Sequence, residues 1–286
     1  MLATCVKSNT NFDCRLVTAT VGDVSVLCVV DVVQGVTQLL DVVYIVCDKS
    51  STISRFDATT HQRLTDIVVK HLRYPCDIVA CDRTSQVYVA DPMHIWRMSS
   101  DGGNIKRWLP KYPWGRLLPH TLSVTSTRLL VTSLLTRQLI QFNAVGDRLR
   151  RVQLPGDMGP EHAVESPTGT FIVSRYNEQQ EQHDVSEVNT GGEVLRQFSD
   201  SHLPSVVDIG HIVVDSHGNI LVADRYFDKH RILLLDDHLA FRRVIIDKRQ
   251  LNDKSPERLC YIEQSGQLLV ALRGGSSVAV FDVHCD

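Results

Sequence analysis

The sequence predicts an all-β protein: a six-bladed β-propeller of four-stranded antiparallel blades, closed by an N-terminal strand that completes the last blade. Three observations predict it. A unit of short strands recurs at near-constant spacing, no 3.6-residue periodicity runs through it, and the final copy lacks a fourth strand while a spare strand stands ahead of the first copy.

The clearest unit is HIVVDSHGNILVADRYFDKHRILLLD, residues 211–236. It reads as an apolar strand, a D-S-H-G-N turn, the strand ILVAD, a charged loop and the strand RILLLD. Asp, Gly and Asn are the residues a tight hairpin needs for local hydrogen bonds and positive φ. Third strands recur as ISRFD, IWRMS, LIQFN, VSEVN, LLLD and VAVFD. Their markers Phe56, Met98, Phe142, Val188, Leu235 and Phe281 lie 42, 44, 46, 47 and 46 residues apart. Second strands match as VVYIVC, QVYVAD, RLLVTS, GTFIVS, NILVAD and QLLVAL, and turns such as DGGN, VGD and TGG lead into fourth strands.

Six copies of about 45 residues suit a ring in which no blade buries both faces alone. The sixth copy stops after its third strand. The spare N-terminal strand is VSVLCVV (24–30), with RLVTATV (15–21) as the other candidate; 24–30 has the better spacing ahead of blade one. The expected organisation is an extension over 1–23 and one propeller over 24–286.

Composition narrows the function classes. A chain of 286 residues that is 43% apolar supports a sizeable core and is not mostly disordered. Thirty basic against 33 acidic residues, a net charge of −3, exclude a general polyanion binder, and no DNA partner is expected. The most apolar stretch, Val24 to Cys47, is cut by Asp31, Gln34, Thr37, Gln38 and Asp41, so no membrane span is expected. Eight cysteines, several inside apolar runs, are too few for a disulfide scaffold. With no N-x-S/T site and no leader-like start, the expectation is a reduced, cytoplasmic, monomeric protein. Cys76 and Cys81 have no second pair at zinc-finger spacing.

W-D dipeptides are absent, and the glycine doublets at 102–103, 191–192 and 274–275 do not fall at one fixed place, so WD and kelch repeats do not fit. IVVDSHGNILVADRYFDKHRILLLD instead resembles an NHL repeat. The match is close in blade five, fair in blades two (IVACDRTSQVYVAD) and four (AVESPTGTFIVS), and covers roughly 36–286. The chain thus resembles the C-terminal NHL domains of tripartite-motif (TRIM-NHL) ubiquitin ligases. That resemblance implies a recognition module, as an adaptor or substrate reader in a ligase assembly, and includes RNA binders that use the top face. No RING or B-box pattern is present.

In such a ring the blade-to-blade loops and those between second and third strands share one face, the top. Here they carry Tyr112, Trp114 and Arg116, the repeated pairs Arg175-Tyr176 and Arg225-Tyr226, and Arg258 and Arg273. Trp, Tyr and Arg anchor interfaces because they bury large areas with few torsions and offer directed donors. The basic residues crowd into blades five and six, while blade four's loops are acidic. A protein partner is therefore expected ahead of an RNA stem-loop or single strand, which needs unopposed cations.

Against catalysis stand the missing G-x-S-x-G, phosphate-loop and H-E-x-x-H motifs. The expectation is a non-catalytic scaffold without cofactor. Two metal readings remain beside it. His120, His162 and His211 begin the first strands of blades three, four and five, as zinc ligands in a peptidylglycine-lyase-like site would. Asp77, Glu161 and Asp208 would suit a lactonase-like calcium site. The three histidines do not align at one equivalent position, differing by one or two residues. Asp224 and Arg231 are expected to be structural, with Asp48 and Asp91 in Asp224's place in other blades.

Overall fold

The computed structural model describes residues 25–29, 31–109, 118–177, 182–198, 208–227 and 229–283. The expected extension over 1–23 lies outside them. Among the described residues, twenty-four strands form six four-stranded antiparallel sheets. Strand β1 is Ser25–Cys28. Blade one holds β2 (Val33–Leu39), β3 (Val42–Cys47), β4 (Thr52–Asp57) and β5 (Arg63–Val68). Blade two holds β6 (Asp77–Cys81), β7 (Gln86–Ala90), β8 (Ile95–Ser99) and β9 (Lys106–Arg107). Blade three holds β10 (Thr121–Thr125), β11 (Arg128–Ser133), β12 (Gln138–Phe142) and β13 (Arg148–Gln153). Blade four holds β14 (Met158–Glu165), β15 (Phe171–Asn177), β16 (Gln182–Val188) and β17 (Val194–Gln197). Blade five holds β18 (Ile209–Val214), β19 (Ile220–Asp224), β20 (Arg231–Leu235) and β21 (Phe241–Ile246). Blade six holds β22 (Pro256–Ile262), β23 (Gln267–Leu272) and β24 (Ser277–Asp282), and takes β1 as its fourth strand.

The second strands read as unbroken apolar runs because both of their faces are covered. In β3, Tyr44 and Val46 pack toward blade two, whereas Val43, Ile45 and Cys47 pack toward blade six. In β19, Ile220 and Val222 face blade four while Leu221 and Ala223 face blade six. Alternating side chains of one strand therefore feed two cores, and six apolar clusters fill the six junctions between neighbouring blades. Each fully buried aliphatic side chain contributes roughly 1.5–3 kcal/mol, and none of that is available to an isolated blade.

The turns after the third strands share one device. Asp57 Oδ1 accepts the Thr59 and Thr60 N–H groups, Asn143 Oδ1 those of Val145, Gly146 and Asp147, and Asp236 Oδ1 those of His238 and Ala240. A short carboxylate or amide thus satisfies backbone donors the ladder leaves open. In blade four Asn189 does the same for Gly191 and Glu193. There Gly192 (φ +93°) is required, since a Cβ would lie 2.2 Å from the Gln153 carbonyl oxygen.

Closure is direct. Ser25, Val26, Leu27 and Cys28 pair with Val280, Ala279, Val278 and Ser277, and the first strands of successive blades touch around the whole ring. No helix among the described residues is long and apolar enough to cross a membrane.

Candidate functional site

The six first strands line the central axis, and each begins on the face that carries the blade-to-blade loops. A cavity of about 190 Å³ lies on this axis. Asp77, His162, His211 and Arg258 line it, from four different blades, above apolar walls that include Val36, Val79, Val164 and Val213.

Bulges bring these side chains to one level. In β14 Glu161 is an extra residue between the pairs Pro160–Arg175 and His162–Ser174, and in β22 Glu257 is extra between Pro256–Leu272 and Arg258–Ala271. In β18, Gly210 and His211 together face Ala223. Strands β6 and β10 run without such a step, which places Asp77 opposite Ala90 and Thr121 opposite Thr132. A bulge adds one residue and re-aims the side chains after it. His162 and His211 are therefore near-equivalent in space although their sequence alignment is out of step.

Their rings stack with centroids 3.7 Å apart and an angle of 22°. His162 Nε2 donates to the Leu122 carbonyl at 3.1 Å, and its Nδ1 accepts the Ile212 N–H at 3.4 Å. His211 Nδ1 accepts the Leu259 N–H at 3.3 Å, so in the neutral ring Nε2 carries the proton. Asp77 is buried and accepts backbone N–H groups on both oxygens, from Ile78 at 2.9 Å and Leu122 at 2.7 Å. Burial nevertheless pushes its carboxyl up to about 6, opposed by the charge of Arg258. Burial, with the nearby Arg258 charge, holds His162 down at about 3 and His211 well below the usual imidazole range.

These shifts predict an acid-labile fold. Between about 3 and 6.5 the unfolded His162 binds a proton that the native ring refuses. Stability present at neutral pH is therefore lost as pH falls through that window, by about 5 kcal/mol in all. Asp77 acts in the opposite sense. Its raised carboxyl holds a native proton between 3.8 and about 6, and that contribution, about 3 kcal/mol, is lost as pH rises. The histidines dominate, so the urea midpoint is expected to drop between pH 7 and pH 4.5, and to drop less in His162→Gln. A midpoint flat across this range, or an unchanged slope in the variant, would refute the assignment.

The histidine and carboxylate sets of the sequence reading need correction. His162 and His211 come together, but His120 stands apart, with Nε2 3.9 Å from Glu161 Oε2. Asp77, Glu161 and Asp208 likewise have separate partners. Ligand atoms of Asp77, His162 and His211 do lie within 4.8 Å of one another. This donor set does not fit a divalent cation. Both carboxylate oxygens and both Nδ1 atoms accept backbone N–H bonds, His162 Nε2 is committed to a carbonyl, and the Arg258 charge bears on all three residues.

The top-face candidates divide. Tyr112, Trp114 and Arg116 lie outside the described residues. Arg175 is a correction: strand β15 continues through it to Asn177, and its Nε donates to Asp184 Oδ1 at 2.6 Å and Ser186 Oγ at 3.0 Å, buried within the blade. Period-2 alternation turns its neighbour Tyr176 the other way, where it is half-buried against His183. Arg225 bonds Asp208 and Glu257, and Tyr226 is half-buried. Arg258 is 8% exposed and belongs to the axial cavity, while Arg273 is exposed. Arg231 Nε donates to Asp224 Oδ2 at 2.8 Å, and the Tyr226 N–H to Asp224 Oδ1 at 3.2 Å. Asp91 has a comparable place, accepting N–H groups of Met93 and His94 and the Trp96 indole N–H. Sequence reading passed over Phe227, which is 85% exposed beside Tyr226. Its signal was an aromatic residue flanked by charge in a top loop.

Fold and site define a six-bladed propeller with a polar axial cavity. No family model matches the sequence, and no curated protein matches it. Among solved structures, the chain is similar to a catalytically inactive virginiamycin B lyase from Staphylococcus aureus crystallised with quinupristin. The two share 14% identity over 88% of this chain and 80% of that one, with a TM-score of 0.64. It is also similar to Kuenenia stuttgartiensis hydrazine synthase (14% identity, 89% and 84% covered, TM-score 0.64). The β-propeller domain of Myceliophteria thermophila Cps50 (Swd1) is another likeness (10% identity, 88% and 84% covered, TM-score 0.58). Identities this low carry the fold alone. They correct the expectation of a chain without catalytic activity, because this fold houses lyases.

Proposed function

We propose that this propeller recognises a protein partner through its top face. The observation that carries the reading is Phe227, an aromatic ring 85% exposed on a tethered loop. The Arg225 N–H donates to the Asp208 carbonyl at 2.6 Å, and the Lys229 N–H donates to the Tyr226 carbonyl at 2.8 Å. Asp224 holds the Tyr226 N–H from below. A large apolar side chain on a pre-ordered loop loses little entropy on docking, and exposed Arg273 is a second anchor type on the same face. The NHL-type pattern of blade five supports the same reading, including an adaptor role in a ligase assembly. RNA is less well supported, since Arg225 is tied to carboxylates and the chain is net acidic.

The test is proximity labelling in cells with wild type, Phe227→Ala and a control, Val145→Ala, exposed in an opposite-face turn. A partner set depleted about tenfold in Phe227→Ala and unchanged in the control is expected. Equal labelling in all three would remove the top-face reading, and Phe227-dependent RNA crosslinks without proteins would replace the protein reading.

A further inference from the structure

Arg258 poses a problem that the top-face reading does not solve. It is 8% exposed, yet its Nε is buried without a hydrogen-bond partner. Its Nη1 donates to the Glu257 carbonyl at 3.2 Å and lies 3.7 Å from Glu257 Oε1; among the described residues nothing takes up Nη2. Glu257 faces two further guanidiniums, although its own Oε2 is buried without a hydrogen-bond partner. Arg225 Nη1 lies 3.3 Å and Arg273 Nε 3.9 Å from its oxygens, and Arg225 also binds Asp208. Within 4 Å these three guanidiniums meet two carboxylates. A buried guanidinium donor without an acceptor costs free energy, and a native structure retains one where something supplies the acceptor.

The cavity indicates the acceptor's chemistry. His211 lines it beside Arg258, with an Nε2–H that has no partner among the described residues. Below, the lining mixes Val36, Val79, Val164 and Val213 with Thr37, Ser123, Thr125 and the Arg128-paired Glu165, and the volume of about 190 Å³ admits a few heavy atoms. A planar guanidinium fork pairs bidentately with a carboxylate or a phosphate, and of the two the planar carboxylate is the smaller and suits a cavity of this volume.

We propose that the axial cavity binds a carboxylate on a short aliphatic stem, with Arg258 as its principal donor, His211 as a second, and the stem lying on the valine walls. The carboxylate belongs either to a free short-chain acid or to an acidic side chain of a peptide.

A pH dependence follows. The groups bearing on Asp77 are Arg258 from β22, His162 from β14, His211 from β18, and His120, Cys76 and Cys260. Above about pH 6 Asp77 becomes charged and competes with the ligand for the field of Arg258. Carboxylate binding is therefore tighter at pH 5.5 than at pH 7.5.

Calorimetric titration of the full chain with sodium butyrate tests this, with n-butylamine as the cationic counterpart and zinc chloride alone as the metal control. Binding of butyrate, weakened at least threefold from pH 5.5 to 7.5 and at least tenfold in Arg258→Gln, is expected. Should Arg258→Gln misfold by circular dichroism, His211→Asn replaces it, with a loss of at least threefold expected. Blocked tripeptides ending in glutamate or glutamine distinguish the sources: the glutamate form binds tighter than butyrate if the ligand is a peptide, and weaker if it is a free acid. No butyrate binding at pH 5.5, equal binding of butylamine, unchanged affinity in the folded variant, or stoichiometric zinc would overturn the proposal. Neither Phe227→Ala nor the labelling result bears on it.

Discussion

Leu27→Ala is expected to lower the unfolding free energy by about 2–5 kcal/mol, the range for removing a fully buried leucine side chain. Leu27 is 0% exposed and lies in the cluster with Val33, Val36, Val278 and Val280, between blade one and blade six. It is also an inner residue of β1, the strand that completes blade six, and pairs with Val278. The truncation leaves a cavity at the one junction where the ring is closed by pairing the chain's two ends, so neighbouring blades lose a shared surface as well as a side chain. Val68→Ala is the comparison. Val68 is 68% exposed on the outer strand of blade one, and its truncation is expected to stay within about 0.5 kcal/mol. Urea melts of both variants decide the matter. If Leu27→Ala costs no more than Val68→Ala, β1 is not an integral part of blade six.

Arg231→Ala is expected to cost about 3–5 kcal/mol at pH 7, because it strands a buried carboxylate. Asp224 is 0% exposed, and the Arg231 guanidinium is its one charged partner within 4 Å among the described residues. Burial already raises the Asp224 carboxyl with Arg231 in place. Without the guanidinium it rises further, and the native variant takes up a proton. For a carboxyl raised in the folded state, stability is lost as pH rises, so the penalty of the variant relative to wild type shrinks on acidification. Asp224→Asn in the Arg231→Ala background should recover part of the loss, since an amide carries no charge to strand. A double-mutant cycle by urea melts at pH 7.5 and pH 5 reads this coupling. A cost below about 1 kcal/mol, or one independent of pH, would show that the pair is dispensable. The same pair supports the loop that holds Phe227 out, so Arg231→Ala should also weaken any Phe227-dependent association.

Much of the ring is visible in local chemistry. Phe56, Met98, Phe142, Val188, Leu235 and Phe281 recur because each fills the junction between its own blade and the preceding one. Asp57, Asn143, Asn189 and Asp236 recur because each following turn leaves backbone donors that a short acceptor side chain can reach. The candidate site is less visible. Arg175-Tyr176 and Arg225-Tyr226 look alike as dipeptides, yet β15 runs on to Asn177 and draws Arg175 into the sheet, whereas β19 stops at Asp224 and leaves Arg225 in a loop. Strand length is a cooperative outcome of pairing with β16, and no dipeptide carries it.

What the sequence determined by itself is the number of blades and the order of strands within them, because these follow from a unit of about 45 residues repeated with recurrent turn residues. It left 24–30 and 15–21 as candidates for the closing strand, and the pairing of Ser25–Cys28 with the last strand decided between them. What only the tertiary structure decided is the axial cluster of Asp77, His162, His211 and Arg258. The bulges at Glu161, Gly210-His211 and Glu257 step the register by one residue, and a one-residue step reverses which side of a strand a side chain takes. Residues from four blades, spread over more than half the chain, meet on one axis only once all six blades have packed.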